Sequence, residues 1–423
     1  YLTLLNPYCE NSQTPFGAGI WGLSTAYHSA KAGTSRSIIV LERNTAVASE
    51  TTRQAAGQIG QLRSHPLMAN AVRYTLELLS NLKEVTGYDP ELNRTGSLHL
   101  AQCDERVASF EAQIDHACAL GIAAELADGM LVEKLCPAIN AEAIKGALYV
   151  PDDGYVNAHS AAMALGRAVI DLGVKICLET EMTDLGLIDS AVDHVETTQG
   201  TIQTNCLVVT AGPWAGRIAS MAGITFPIQP IRLQQARTVR DSELPEHHPV
   251  VRIPDQSCYL RPENGGYLFG MFDPDPLPID PRALAAGFST ADIAPEKDLV
   301  DEARRRLAPI FPILEELEIA QYRQGMITCT PDAGYVVGPT PCIRGQWVAT
   351  GCGGMGIAGS GAIGRWLANW IIDGDPGEDI SIFAPPRFKG HDPEWLREEC
   401  RHVCANYYAL ESVTYSLGQS GND

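Results

Sequence analysis

The chain has 423 residues, of which 45% are hydrophobic and 19% charged, which is typical of a folded protein with more than one domain. Its formal net charge of −20 argues against partners such as nucleic acids and anionic membrane surfaces, because both are bound by clustered Lys and Arg. The sequence shows neither a long apolar span nor a secretion signal, so we expect a cytoplasmic protein that does not enter the membrane.

The twelve cysteines are scattered along the chain and form no CxxC pair. We therefore predict reduced thiols and no disulfide framework. No cluster of His and Cys residues has the spacing of a zinc or iron–sulfur site, and we predict no metal.

The first predicted helix follows a glycine-rich turn, residues 16–23, which read F-G-A-G-I-W-G-L. Gly17 allows a tight turn, Gly19 lets the backbone approach a pyrophosphate, and Gly22 lets the helix pack closely against a strand. The helix over residues 23–32 would place its positive end on the phosphates. This pattern predicts a site for an adenine dinucleotide.

An acidic residue at the right distance supports this site. Glu42 ends an apolar run, residues 37–42, which predicts a buried strand, and its carboxylate can accept hydrogen bonds from a ribose. The strand that should lead into the glycine turn is missing, however, because residues 10–15 read E-N-S-Q-T-P. Either the first strand is unusually polar, or this chain begins differently from the natural protein.

The remaining elements follow in chain order, and a second glycine-dense turn at residues 351–361 precedes the penultimate helix. Helices are predicted at 66–87, 160–172, 362–373 and 392–408, with a further helix that follows residue 101 and runs through about residue 120. Strands or hairpins are predicted at 95–101, 147–157, 175–180, 183–204, 206–210, 225–275 and 346–350. The nucleotide-binding pattern returns at residues 324–341. Two glycine turns far apart in sequence indicate a large cofactor that is contacted at both ends.

Four longer stretches resemble the D-amino-acid-oxidase type of flavoprotein, a family that includes glycine oxidase, sarcosine oxidase and the dimethylglycine dehydrogenases. The stretches are T-T-R-Q-A-A-G-Q-I-G-Q-L-R-S at 51–64, Y-V-P-D-D-G-Y-V-N-A-H-S at 149–160, A-G-P-W-A-G-R-I-A-S-M-A-G at 211–223 and C-T-P-D-A-G-Y-V-V-G-P-T-P at 329–341. The resemblance is greatest to the dimethylglycine and sarcosine dehydrogenase branch.

The resemblance implies an α/β fold in which a Rossmann-like FAD-binding domain, of the glutathione-reductase type, is interleaved with a β-sheet-rich α+β substrate domain. The FAD-binding domain would comprise residues 1–90, 155–220 and 325–385. The substrate domain would comprise residues 91–154 and 221–324, and a C-terminal helix and tail would occupy residues 386–423.

The resemblance also implies which residues hold FAD. The pyrophosphate would contact the first glycine turn, the ribose would contact Glu42, and the adenine would contact Arg43 and the backbone of Met182. The ribityl chain would lie near Ala211 and Gly212, and the flavin would contact residues 52–57, Gly325 and the second glycine turn. The implied cofactor-binding residues are Gly17, Gly19, Gly22, Glu42, Arg43, Thr52, Ala56, Gly57, Met182, Ala211, Gly212, Gly325, Gly353, Met355, Gly356 and Ile357.

Two departures from the family pattern concern the cofactor and the amine. Gln54 stands where the dimethylglycine dehydrogenase branch has a histidine that tethers the flavin, and Gly325 falls near the tethering cysteine of monomeric sarcosine oxidases, so we predict noncovalent FAD. Leu233 replaces a histidine that faces the substrate amine in that branch.

Three residues are candidates for the catalytic site. Tyr259 would position the amine, because the branch uses a tyrosine in this strand. Arg261, two residues on, shares its face of the strand and could pair with a substrate carboxylate, as could Arg63. Arg232 and Arg323 are rival carboxylate ligands.

The implied reaction is FAD-dependent oxidation of the C–N bond of a small secondary or tertiary amine, such as an N-methyl amino acid. Hydride would pass to flavin N5, and water would hydrolyse the imine to an aldehyde. The partners would be the amine and either O2 or another electron acceptor, with no folate domain in this chain. Two alternatives stay open: an oxidase of D-amino or cyclic imino acids in the manner of glycine oxidase, and a catalytically silent flavin-binding regulatory subunit.

Overall fold

A computed structural model describes residues 12–242 and 244–409. Residues 1–11 of the predicted FAD-binding domain and the predicted tail after residue 409 lie outside this range. The helices of the described chain are α1 (Ile20–Lys31), α2 (Thr51–Gln54), α3 (Pro66–Thr86), α4 (Asp104–Ala119), α5 (Gly129–Leu135), α6 (Ala158–Asp171), α7 (Ala215–Met221), α8 (Lys297–Leu307), α9 (Ser360–Asp373) and α10 (Pro393–Ala405).

The strands fall into four sheets. They are β1 (Ser12–Phe16), β2 (Ser37–Leu41), β3 (Gln58–Ile59), β4 (Leu92–Asn93), β5 (Ser97–Ala101), β6 (Glu125–Ala127), β7 (Gly146–Val150), β8 (Gly154–Val156), β9 (Lys175–Cys177), β10 (Met182–Ile188), β11 (Ala191–Thr197), β12 (Gly200–Gln203), β13 (Cys206–Val209), β14 (Gln229–Thr238), β15 (Val250–Ile253), β16 (Cys258–Glu263), β17 (Gly266–Met271), β18 (Ile319–Cys329), β19 (Val336–Pro339) and β20 (Gln346–Thr350).

A six-stranded sheet in the order β19-β20-β13-β1-β2-β9 forms the first layer, and all its neighbours are parallel except β19 and β20. On one face α1 packs against α6 and α9, and α9 packs against α3. The antiparallel meander β10-β11-β12 and helix α7 contribute to the core on the other face. The carboxyl ends of parallel strands are where open α/β sheets bind ligands.

The polar sequence before the first glycine turn is a fully buried strand at the centre of this sheet, so the first of our two interpretations is confirmed. Its polar side chains find partners inside the protein: the Gln13 amide donates to Ser29 Oγ (3.0 Å), and the Ser12 hydroxyl donates to the Gln203 carbonyl (2.9 Å). Buried polar groups that are hydrogen-bonded carry little penalty. This is why a strand that begins with three polar residues can occupy a core position.

An eight-stranded sheet in the order β18-β14-β17-β16-β15-β5-β7-β6 forms the second layer. Helices α5 and α8 pack on one face, with Leu260, Phe269 and Leu307 in that core. Strand β18 pairs with β14 along most of its length, so residues 324–329 belong to this sheet, although the sequence placed them in the returning nucleotide-binding segment. The backbone hydrogen bonds of these residues are made to β14, and this pairing assigns them to the eight-stranded sheet. The predicted domain limits stay a prediction.

The fold class is confirmed: the protein is α/β, with a parallel Rossmann-like sheet and a separate sheet-rich part whose strands alternate with it along the chain. Helix α10 packs against β14 and β18 of the eight-stranded sheet. In the part of the chain that is described, no helix is long and apolar enough to cross a bilayer.

Candidate functional site: a cavity between the two large sheets

The turn between β1 and α1 brings three backbone segments into close contact. Gly17 has φ +109°, and a β-carbon there would lie 2.7 Å from the Thr210 carbonyl oxygen. A β-carbon at Gly22 would lie 2.0 Å from the Gly17 carbonyl oxygen. A side chain at either position would therefore force the turn and the helix apart. Gly19 caps α1 with extended backbone, leaving the first amides of the helix directed into the turn.

Glu42 follows β2 and holds the turn from the side. Its Oε2 accepts from the Ala18 amide and its Oε1 from the Asn44 amide, both at 2.9 Å. Burial raises the pKa of the Glu42 carboxyl, and these two backbone hydrogen bonds oppose that rise. Each oxygen retains a free lone pair, so the carboxylate can still accept hydroxyl donors.

Arg43 is held at the same end of the site. Its guanidinium pairs with Glu50 (2.9 Å) and lies 4.0 Å from the ring centre of Trp214. Arg43 lines the cavity, whereas Met182 is buried against Phe16 and Leu41 under the sheet and does not. The structure thus brings Arg43 to the expected region. Met182 does not line the cavity with its side chain, and the contact expected between its backbone and the adenine stays a prediction.

The segment around α2 and the second glycine turn form two further walls of the site, beside the first glycine turn. Thr52 Oγ1 accepts from the Ile20 amide (3.2 Å), and Gly57 adopts φ +71° where a β-carbon would lie 2.1 Å from the Val156 carbonyl oxygen. In the second turn, the Trp21 indole donates to the Gly356 carbonyl (2.6 Å). Gly353 instead donates to the Thr328 carbonyl (2.8 Å) and lies behind the wall.

These segments enclose a cavity of about 810 Å³. Two predicted cofactor residues besides Met182 do not line it: Gly22, which packs beneath the turn, and Gly353. The predicted cofactor residues that line it are Gly17, Gly19, Glu42, Arg43, Thr52, Ala56, Gly57, Ala211, Gly212, Gly325, Met355, Gly356 and Ile357.

Tyr259 lines the same cavity from β16. Its hydroxyl lies over Gly270 of β17, where a β-carbon would be 2.6 Å from the hydroxyl oxygen, so the glycine makes room for the ring. Burial raises the pKa of the phenol, which therefore stays protonated and acts only as a neutral hydrogen-bonding group. Phe272 packs at 6.3 Å from Tyr259 and stacks on Tyr407 at 4.0 Å, which closes this end with aromatic rings.

Arg261 does not line the cavity, contrary to the role expected for it. Its Nε donates to the Ala56 carbonyl (2.5 Å), its Nη1 to the Pro262 carbonyl (2.7 Å) and its Nη2 to the Glu263 carboxylate (2.5 Å). Arg261 is 3% exposed. Since each guanidinium nitrogen already has a partner, the structure gives Arg261 a supporting role behind the 52–57 segment.

Of the other three candidate arginines, two lie outside the cavity and one lines it. Arg323 pairs with Glu263 (2.8 Å), and Arg232 pairs with Glu296 (3.3 Å); neither lines the cavity. Arg63 does line it, and its buried Nε has no hydrogen-bond partner among the described residues. Arg63 is therefore the predicted arginine whose surroundings fit a ligand anion.

The sequence interpretation assigned no role in the site to five further residues that line the cavity: His99, Arg106, Arg252, Tyr407 and Tyr408. Arg252 stands in V-V-R-I, a charged residue inside an apolar strand, and this was the available signal. Its guanidinium donates to Gln58 Oε1 (3.1 Å) and lies 2.8 Å from His99 Nε2. Burial and the nearby arginines hold the pKa of His99 well below its usual range, so this histidine is neutral.

The positions that depart from the family pattern lie together. Gln54 donates to the Thr290 hydroxyl (2.5 Å), and a β-carbon at Gly325 would lie 2.6 Å from Gln54 Oε1. Leu233 is opposite Gly325 on β14 and lines the cavity. Neither an amide nor a leucine side chain is a nucleophile that could attach to a flavin.

Comparison with known proteins identifies the family. The family described as FAD dependent oxidoreductase (DAO) matches residues 16–370. The chain belongs to this family. It is 31% identical over 398 residues to 4-methylaminobutanoate oxidase (formaldehyde-forming) of Paenarthrobacter nicotinovorans, covering 93% of this chain and 48% of that protein. It is 31% identical over 382 residues to mitochondrial dimethylglycine dehydrogenase of Rattus norvegicus, covering 88% of this chain and 44% of that protein.

The chain thus spans about half the length of these two relatives. Among solved structures, L-proline dehydrogenase from P. horikoshii superposes with a TM-score of 0.81 at 24% identity, covering 90% of this chain and 99% of that one, which shows the shared fold. The family resemblance predicted from the four sequence stretches is confirmed, and so is FAD as the cofactor of the family.

The residues of the cavity fit FAD. Gly17 and Gly19 line the cavity without a side chain, which lets a pyrophosphate approach the backbone of the turn, and Glu42 presents acceptors beside it. The cavity continues from this turn past residues 52–57 to the second glycine turn, so one dinucleotide could contact both. The individual contacts of the predicted cofactor residues stay predictions.

Proposed function

We propose that this protein oxidises the C–N bond of a small secondary or tertiary amine of the N-methyl amino acid type, with noncovalently bound FAD as cofactor. One observation carries the proposal: the FAD-binding turn and Tyr259 open into the same cavity, which lies between the two sheets. The neutral amine would lose two electrons and one proton, as a hydride from the carbon next to the nitrogen, and become an iminium ion, which water hydrolyses to an aldehyde and the protonated, shortened amine.

When bound, FAD supplies the acceptor for the hydride that leaves the carbon next to the nitrogen. The protein's own residues orient the amine and exclude water. The Tyr259 hydroxyl, neutral at every physiological pH because burial raises its pKa, would hydrogen-bond to the amine nitrogen. Leu233, Phe272 and Tyr407 line the cavity around it with apolar surface, which keeps water from a reactive product.

The arginines of the cavity favour substrates with an acid group. Arg63 has a buried, unpartnered Nε, and Arg252 is 7% exposed; both line the cavity. A buried guanidinium gains most from a carboxylate, which it can bind through two hydrogen bonds. This observation equally favours a second candidate function, the oxidation of D-amino or cyclic imino acids.

The experiment is anaerobic reduction of the purified protein with a panel of N-methyl amino acids, D-amino acids, cyclic imino acids and their decarboxylated analogues, followed by visible absorbance. Bleaching of the flavin bands by N-methyl amines supports the proposed function. Bleaching by D-amino or cyclic imino acids alone supports the second candidate. A flavin that no amine reduces would leave a silent flavin-binding subunit as the better description.

A further inference from the structure

Strand β16 carries two charged side chains on the face that bears Tyr259. Arg261 and Glu263 follow Tyr259 at intervals of two residues, so the three side chains extend from the same side of the sheet. Arg323 of β18 reaches the carboxylate of Glu263 from across the sheet. Arg261, Glu263 and Arg323 form one group, the charge triad, and none of the three lines the cavity.

The charge triad contains two guanidinium groups and a single carboxylate. Glu263 Oε2 lies 2.5 Å from Arg261 Nη2, and Glu263 Oε1 lies 2.8 Å from Arg323 Nη1. Within residues 12–242 and 244–409, no other carboxylate comes within 4.0 Å of either guanidinium. Because arginine keeps its proton in proteins, the charge triad carries one positive charge in excess.

This excess charge is buried. Arg261 is 3% exposed, and the side chains of Glu263 and Arg323 are 11% and 15% exposed. The ring centre of Tyr155 lies 4.9 Å from the Arg261 guanidinium. Burial raises the pKa of this tyrosine, Arg261 opposes the rise, and the carboxylates of Glu263 and Glu246 add to it. Glu246 is exposed, so water weakens its effect and the excess positive charge remains.

The remaining donors of the two arginines hold the backbone of residues 53–56. Arg261 Nε donates to the Ala56 carbonyl (2.5 Å), and Arg323 Nη2 donates to the Arg53 carbonyl (2.7 Å). Ala56 lines the cavity, so its peptide unit lies between the Arg261 guanidinium and the cavity. A charge in the protein interior acts over such a distance with little screening.

A charge at this place distinguishes the two redox states of a flavin. A hydride brings two electrons and one proton, so the reduced flavin carries one more negative charge than the oxidised flavin. A fixed positive charge nearby therefore lowers the free energy of the reduced state more than that of the oxidised state.

We propose that the charge triad raises the reduction potential of the bound flavin, which makes Arg261, Glu263 and Arg323 positioning residues for hydride acceptance. This inference rests on the proposed function, in which the flavin contacts residues 52–57. Glu263 limits the effect, because it cancels one of the two positive charges. Removal of the carboxylate and removal of an arginine should therefore shift the potential in opposite directions.

The test measures the reduction potential of the FAD-loaded protein by titration with dithionite beside a reference dye, without any amine. In Glu263→Gln the ratio of reduced to oxidised flavin at a fixed solution potential should rise by about tenfold or more, and in Arg323→Gln it should fall by about tenfold or more. A tenfold change corresponds to about 30 mV for a two-electron couple. Arg323→Lys keeps the charge and should resemble the wild type.

A double variant separates the effect of charge from that of structure. Glu263→Gln combined with Arg323→Gln again leaves one positive charge, so the potential should return toward the wild-type value. Loss of support for residues 53–56 would accumulate in the double variant instead. The exposed pair of Asp280 and Arg282 provides matched controls, and Asp280→Asn and Arg282→Gln should leave the potential unchanged.

Three results would overturn the inference: equal potentials in the wild type and both single variants, shifts of both single variants in the same direction, or a double variant that is shifted farther than either. If Arg323→Gln does not fold, Glu263→Gln and the double variant still decide the question. The proposed function fails separately, because amines reduce the flavin in that experiment and dithionite reduces it in this one.

Discussion

Arg252 and Tyr259 lie directly opposite each other on the antiparallel strands β15 and β16, and both side chains reach the same cavity. One carries a permanent charge, and the other is a phenol whose pKa is raised by burial. The two ends of the site therefore differ in charge, although the residues that form them are cross-strand neighbours. Charge at one end can select the substrate without a charged group beside the reacting carbon.

Tyr259→Phe should lower kcat/KM for amines by about tenfold, because one hydrogen bond to the nitrogen is lost from the oriented complex. The shape of the pH profile should not change, since the phenol does not ionise in the working range. Steady-state kinetics across pH check both statements. Tyr267→Phe is the control, because Tyr267 is buried outside the cavity and its hydroxyl has no partner in the described chain. Unaltered kinetics in Tyr259→Phe would remove Tyr259 from the site.

Gly22→Ala should abolish tight FAD binding. The new methyl group would lie 2.0 Å from the Gly17 carbonyl oxygen, so the turn must open and its amides lose their alignment. We expect protein purified without bound flavin and an FAD dissociation constant raised at least a hundredfold, measured by fluorescence titration. Gly216→Ala is the matched control: it lies in α7 with no atom within 4 Å of the added carbon, and should bind FAD normally. Normal FAD binding by Gly22→Ala would contradict the packing argument.

The sequence predicts those parts of the site that depend on local geometry. Gly17, Gly22 and Glu42 belong to one strand–turn–helix–strand unit, whose short connections determine where each residue lies. The polar strand β1 escaped a pattern-based prediction because its partners, such as Gln203, are distant in the chain.

The cationic end of the cavity could not be predicted from the sequence. Arg252, His99 and Tyr259 meet only through the register of three strands, and a one-residue shift would turn each side chain to the opposite face. Arg261 shows the converse case. It shares the face of Tyr259, as expected, but the Ala56 carbonyl and Glu263 occupy its guanidinium.

FAD affinity should fall as the pH is lowered through the pKa of Glu42. Burial raises this pKa in the ligand-free protein, and ribose hydroxyls donate to the charged carboxylate. The contribution of the charged carboxylate to FAD affinity is therefore complete above the raised pKa and is lost as the pH drops through it. This loss begins at a higher pH than it would for an ordinary glutamate. Glu42→Gln should weaken binding about tenfold at neutral pH and remove this dependence. FAD titrations over a pH series check it, with the exposed Glu84→Gln as control. A wild-type affinity that does not change with pH would contradict the assignment.

Arg261→Met should destabilise the protein without changing its preference for acidic substrates. Removing the buried guanidinium leaves the Ala56 and Pro262 carbonyls and part of Glu263 unpaired, at a cost of about 3 kcal/mol. Thermal and denaturant unfolding measure the loss, and the exposed Arg282→Met should show almost none. If Arg261→Met folds as stably as the wild type and loses its preference for acids, then Arg261 is a substrate ligand after all.

Acid precipitation should release the flavin into the supernatant. A covalent tether needs a nucleophilic side chain against the isoalloxazine, and the positions that carry one in related proteins hold Gln54, whose amide is bonded to Thr290, and Gly325. Among the described residues, Cys352 is the cysteine that lines the cavity, so it is the alternative site at which a flavin could be attached. Absorbance of pellet and supernatant decides the question. A yellow pellet would mean that the flavin is attached, and loss of the colour in Cys352→Ala would then identify the attachment site.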